Sequence, residues 1–166
     1  MKIGLISDTH GHLEASVAKY FKNCDEIWHA GDIGEGNIME SLSEIAPVQA
    51  VFGNIDTPAV QKQYSEDLIL EREGKKILMT HIAGKPPRYN PRVKKLIKEL
   101  KPDIFICGHS HILRVIPDKE NNCLYINPGA AGKQGFHREK TIIRFDINSG
   151  KIENMEVIEL GKRGAS

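Results

Sequence analysis

Short apolar, β-branched runs alternate with amphipathic stretches over the first two thirds of the chain. "KIGLIS" is followed by a helical pattern from His12 to about Lys22, and "EIWHAG" by another from about Gly36 to Ile45. "VQAVFGN" closes the series. That alternation predicts strands running parallel and joined by helical crossovers. "DLILEREGKKILMTH" differs: both arms alternate around Glu73-Gly74, which predicts a hairpin. A charged helix from Pro91 to Leu100 follows, and "KPDIFICGHSH" returns to a buried strand. Beyond Leu113 only strand patterns remain, in "LRVIP", "CLYINPG", "KTIIRFD" and "KIENMEVIEL", separated by polar and Gly-rich turns. Residues 161–166 read as a flexible tail, which leaves a single domain over residues 1–160.

With 166 residues the chain has length for one domain with a substantial core. Its 23 Lys+Arg balance 22 Asp+Glu, so the net field carries no strong nucleic-acid signature and no attraction to a membrane surface. No apolar run approaches the ~20 residues of a membrane span, or the core of a signal peptide. Cys24, Cys107 and Cys123 are scattered and form no C-x-x-C pair, which suits reduced thiols and a cytoplasmic location. Homo-oligomerisation is compatible with all of this.

One event recurs along the chain: an apolar strand ends and metal-ligand residue types follow. These are Asp8 and His10, then Asp32 in "HAGDIG", Asn54 in "FGNID", His81 in "LMTH", and His109 and His111 in "CGHSH". Each has a plainer reading alone, as a helix cap, a turn residue or a solvated histidine. In parallel sheets, however, carboxyl ends of strands share one edge, which would gather these side chains together. A shell of nitrogen and oxygen donors without thiolate favours Mn²⁺, Fe, Co²⁺, Ni²⁺ or Zn²⁺.

The order Asp8-x-His10, Gly31-Asp32, Gly53-Asn54, His81, Gly108-His109-x-His111 resembles the calcineurin-like metallophosphoesterase superfamily. Within it the chain is similar to the small single-domain phosphodiesterases of bacteria and archaea, whose "NPGS" loop "INPGAAG" also resembles. The resemblance implies an α/β (α+β) fold, a four-layer α/β/β/α sandwich of two mixed sheets flanked by helices. It implies two divalent metal ions, Mn²⁺ foremost. Asp8, His10, Asp32 and His111 would hold one, and Asp32, Asn54, His81 and His109 the other, with Asp32 bridging. It implies a small phosphodiester as substrate, attacked by a metal-bridging hydroxide, with Asp32 and Asn54 as catalytic residues. A phosphomonoesterase, or a non-catalytic scaffold on the same fold, is the alternative; a scaffold has no need of all seven ligands.

Position 55 departs from the family, which commonly has histidine there as an acid or transition-state stabiliser; this chain has Ile55. Asp56 follows and is placed to orient an imidazole introduced at 55. His12, just beyond the first ligands, is a candidate for the leaving-group side, or a surface residue at a helix start. Lys85 and Arg88, with Tyr89 and Arg92, are candidates for a cationic substrate rim, or solvated charges on a Pro-stiffened loop. His137 is a further candidate substrate contact, and His29, inside its strand, reads as a packed core residue.

Overall fold

The computed structural model describes residues 1–164. Its first sheet contains β1 (Lys2–Ile6), β2 (Glu26–His29), β3 (Val48–Ala50), β11 (Glu139–Asn148) and β12 (Lys151–Lys162), in the order β12-β11-β1-β2-β3. The second contains β4 (Asp67–Arg72), β5 (Lys75–Thr80), β8 (Ile104–Ile106), β9 (Arg114–Asp118) and β10 (Cys123–Asn127), in the order β4-β5-β8-β10-β9. In each sheet three strands are parallel: β1, β2 and β3 in one, β5, β8 and β10 in the other. Antiparallel partners complete both, so both sheets are mixed.

Strand alternation explains the layers. Ile3 and Leu5 of β1 face a core shared with Ile77 and Met79 of β5 and Ile104 and Ile106 of β8, so the two sheets pack face to face. The opposite face of β1 and β2 presents Ile6 and Ile27 to Val17 and Phe21 of α1 (Ser16–Phe21) and to Ile38 and Leu42 of α2 (Ile38–Ser43). Leu78 and Phe105 of the second sheet meet Val93 and Ile97 of α4 (Pro91–Leu100). Helices therefore cover both outer faces, giving the four-layer sandwich. Among the described residues no helix is long and apolar enough to cross a membrane.

α4 spans the residues its pattern predicts. Asn90 caps it by accepting the Val93 N–H at 2.9 Å, Pro91 opens it, and Lys101 ends it in the left-handed region. The β4–β5 hairpin likewise turns on Glu73 and Gly74, both at positive φ. α1 is shorter than its pattern, because Gly11 at φ 76° and a His12 N–H bond to the Thr9 carbonyl form a tight turn before it. α3 (Pro58–Gln63) has no buried residue, hence no apolar stripe for a sequence to show. Residues 161–162 continue β12, and Arg163 is held by the carbonyls of His137 and Lys133. The flexible tail expected from Gly161 is therefore fixed that far; residues 165–166 lie outside the described residues.

Candidate metal centre

All seven strand-end residues lie at the carboxyl edges of parallel strands, where the sheets are stitched together. Asp8 and His10 follow β1, Asp32 follows β2, Asn54 follows β3, His81 follows β5, and His109 and His111 follow β8. The Gly108 N–H bonds the His81 carbonyl at 3.0 Å within the second sheet. Across the sheets, the His109 N–H donates to Asp8 Oδ2 at 3.2 Å.

The backbone there is strained. Asp8, His10, Asp32, His109 and His111 all have φ between 48° and 68°. Non-glycine residues seldom adopt that conformation, at a cost of about 1–3 kcal/mol each, and its clustering at one edge marks a functional site. The glycine before Asp32 has a steric reason as well: at Gly31, φ 96°, a Cβ would lie 2.7 Å from His81 Nδ1. At Gly108 a Cβ would fall on Ser7 and the Asp8 carboxylate.

The ligand-type atoms form two groups, Asp8 with His10 and His111, and Asp32 with His81 and His109. His111 Nε2 lies 3.1 Å from Asp8 Oδ1. Asp32 Oδ2 lies 3.2 Å from His81 Nε2 and 3.5 Å from His10 Nε2, so it faces both groups. Asn54 Oδ1 stands 2.9 Å from His109 Nδ1. Two ligands held at about 2.1 Å from one ion lie about 3.0–3.4 Å apart, and these spacings fall within or close to that range.

Hydrogen bonds aim the donor atoms inward. His81 Nδ1 donates to the Ala30 carbonyl at 2.7 Å, which leaves its Nε2 lone pair directed at the cluster. Ser7 Oγ donates to Asp8 Oδ2 at 2.6 Å, and the Ile55 N–H to Asp32 Oδ1 at 3.0 Å. Asp8 Oδ1, His10 Nε2 and His81 Nε2 are buried without any hydrogen bond. Buried polar atoms are rarely left so, and three of them spread over the two groups fit cations held there.

The electrostatics match. Burial opposes the Asp8 charge, but His10, His111, His81 and Ser7 together hold its carboxyl well below the usual carboxylate range. Burial also opposes the Asp32 charge, and His81 and the Ile55 N–H again keep its carboxyl low. The Asp8 carboxylate raises His10; burial disfavours the His81 cation, yet Asp32 and Asp8 outweigh it. The two ionised carboxylates thus favour positive charge at this edge, whether carried by an imidazole or by a metal ion.

Other sequence candidates are placed less directly. A depression of about 440 Å³ opens beside His10, bounded by Ile55, Thr57, Glu35 and Gln134. His12 does not border it; its ring is tied to Glu14 at 2.9 Å and lines a separate hollow between α1 and α2. Lys85 and Arg88 sit on a small exposed hairpin, β6 (Gly84–Lys85) and β7 (Arg88–Tyr89), and neither borders the depression. Arg92 reaches a hollow shared with Asn54 and His81, with Nη1 on Asp67 at 2.6 Å and Nη2 on Thr80 at 3.0 Å. The His137 ring packs edge-on against His111, centroids 5.1 Å apart.

Three supporting residues act through contacts that the sequence does not show. Asp56 is buried and accepts the N–H groups of Ile33, Gly34 and Gly53 at 3.2, 2.9 and 2.7 Å. It joins the Asp32 loop to the Asn54 loop, so it is not free to orient an imidazole at position 55. His29, fully buried, accepts the Gly31 N–H at 3.1 Å and donates to Thr9 Oγ1 at 3.0 Å, linking the loops after β1 and β2. Asn127 of the "INPG" turn donates to the Gly108 carbonyl at 3.0 Å and so braces the loop carrying His109 and His111.

Residues 1–150 match the family model described as calcineurin-like phosphoesterase superfamily domain. A probable metallophosphoesterase of Methanocaldococcus jannaschii is 35% identical over 136 residues, spanning 78% of this chain and 68% of the relative. Among solved structures, an archaeal phosphodiesterase superposes with a TM-score of 0.75 at 24% identity, covering 96% of this chain and 100% of that one. Vps29 of Entamoeba histolytica complexed with zinc gives 0.74 at 17% identity, over 96% and 99%. At those identities the likeness is one of fold.

Proposed function

Because the chain belongs to the calcineurin-like phosphoesterase superfamily and is a metal-dependent phosphoesterase, we propose that it hydrolyses phosphodiesters with two divalent ions, Mn²⁺ foremost. Asp8, His10, Asp32 and His111 hold one ion, and Asp32, Asn54, His81 and His109 the other. The observation carrying this reading is Asp32 Oδ2, which stands within 3.5 Å of a histidine from each group. When bound, the ions supply Lewis acidity at the phosphoryl oxygens and lower the pKa of a water toward ~7.

The chain's own residues do the rest. Backbone and hydroxyl donors hold one oxygen of each aspartate, leaving Asp8 Oδ1 and Asp32 Oδ2 turned toward the histidines. That division preorganises the site before substrate arrives, so little reorganisation accompanies the reaction. Ile55 borders the depression where the family commonly has a histidine, so no imidazole at that position delivers a proton to the leaving oxygen. Leaving groups that depart as stable anions are therefore favoured.

Ile55 also weighs against a phosphomonoesterase. The depression is bounded by Glu35 and by no Lys or Arg, a poor setting for the second charge of a monoester. A scaffold role has no specific support here, since none of the seven ligand residues is replaced. The test is turnover of bis-p-nitrophenyl phosphate against p-nitrophenyl phosphate by Mn²⁺-loaded protein. A kcat/KM at least ten-fold higher for the diester supports the reading; a preference for the monoester refutes it.

A further inference from the structure

The depression beside His10 has a composition that selects among diesters. Gly11 and Gly34 line it with bare backbone, packed so closely that a Cβ at Gly34 would fall on the Gly11 nitrogen. The Ile55 side chain borders it and is 43% exposed. Glu35 lies at its edge, and among the described residues its carboxylate has no hydrogen bond or ion pair. The loop carrying it packs against Gly11: the Gly11 N–H bonds the Ile33 carbonyl at 2.9 Å, and a Cβ at Gly11 would stand 2.8 Å from the Glu35 carbonyl oxygen.

An ester arm entering here meets the Ile55 side chain, bare backbone and the unpaired Glu35 carboxylate, with no Lys or Arg among the lining residues. An anionic arm would face the Glu35 carboxylate with no Lys or Arg beside it to offset the repulsion. A ring would cover Ile55 and gain from that burial, while Gln134 and Thr57 offer neutral hydrogen bonds.

We propose that Glu35 and Ile55 are specificity-determining residues, and that the substrate is a diester carrying one phosphoryl charge and a ring-bearing arm with no anionic group. The inference rests on the phosphodiesterase reading and adds the chemistry of the arm.

Three p-nitrophenyl diesters with the same leaving group test it: the phenyl, the methyl and the 2-carboxyethyl ester. Wild-type kcat/KM should fall in that order. In Glu35→Gln the ratio of carboxyethyl to methyl ester should rise about three- to ten-fold, and in Glu35→Lys further still. In Ile55→Ala the ratio of phenyl to methyl ester should fall about three-fold. Ratios unchanged within two-fold in fully metallated variants overturn the proposal.

Calorimetric titration of metal-loaded protein with phenylphosphonate and with 2-carboxyethylphosphonate reads the same selection without turnover. Binding that favours phenylphosphonate, with Glu35→Gln narrowing the gap, in a protein that hydrolyses no diester keeps the arm selection and removes the phosphodiesterase reading. Equal affinity for both ligands, unaltered by Glu35→Gln, overturns the selection whatever the turnover.

Discussion

Replacing Asp56 should do more damage than its absence from the ligand set suggests. Its buried carboxylate accepts three backbone N–H groups, from Ile33, Gly34 and Gly53. Hydrogen bonds to charged groups contribute about 1.5–3 kcal/mol each, and a buried donor left unpaired costs about 1–3 kcal/mol. Gly34 is only partly buried, so water can recover that donor in Asp56→Ala. The other two lose their partner, giving a destabilisation of roughly 3–5 kcal/mol, a large share of a typical 5–15 kcal/mol. Asp56→Asn keeps one acceptor oxygen and should lose about half as much. Urea unfolding of metal-free protein measures both, with the midpoint falling and the slope unchanged. The same variants should bind metal more weakly, because Asp32 and Asn54 lie on the loops that Asp56 joins. Asp56→Ala within 1 kcal/mol of wild type would refute the role assigned to those bonds.

Position 55 gives a second prediction. Ile55→His should raise kcat/KM for an alkyl diester about ten-fold and for an aryl diester by less than three-fold, because only the alkoxide needs a proton; equal changes would contradict this. The alkyl gain falls below the usual ~10²–10⁴ range because Asp56 is already committed to backbone. His29 gives a third: burial depresses its pKa to about 4 in the fold, against 6.5 unfolded. The unfolded chain then binds the extra proton between those values, so this contribution is complete above pH 6.5 and is lost as pH falls toward 4. From pH 7 to pH 5 the loss is about 2 kcal/mol. His29→Gln should shrink the drop in unfolding free energy between those pH values by about that amount, and an unchanged drop would sink the assignment.

The gathering of the seven candidate residues at one edge was legible because each follows a strand whose apolar run ends abruptly, and parallel strands bring their carboxyl ends to one edge. The layers were legible in the same way, from Ile3 and Leu5 facing one core and Ile6 another. What escaped the sequence is what tertiary contact creates. Asp56 reads as a partner for a side chain at position 55 until Ile33 and Gly34 arrive from another loop. The left-handed conformations of Asp8, Asp32 and His109 have no local signature, since only the packed edge imposes them. His12 was misleading, because Glu14 two residues on captures its ring. Lys85 and Arg88 show the limit of reading charges by proximity along the chain, since their hairpin keeps them off the depression.

The central claim is that two ions share Asp32. Elemental analysis of protein reconstituted with Mn²⁺ and freed of excess metal tests it most directly, run beside Asp32→Asn and His109→Ala. Two ions per chain are predicted for the wild type, and a larger loss for Asp32→Asn, which touches both groups, than for His109→Ala, which touches one. One ion or none in wild type across Mn²⁺, Co²⁺, Ni²⁺ and Zn²⁺, or a folded Asp32→Asn that keeps the full complement, would contradict it.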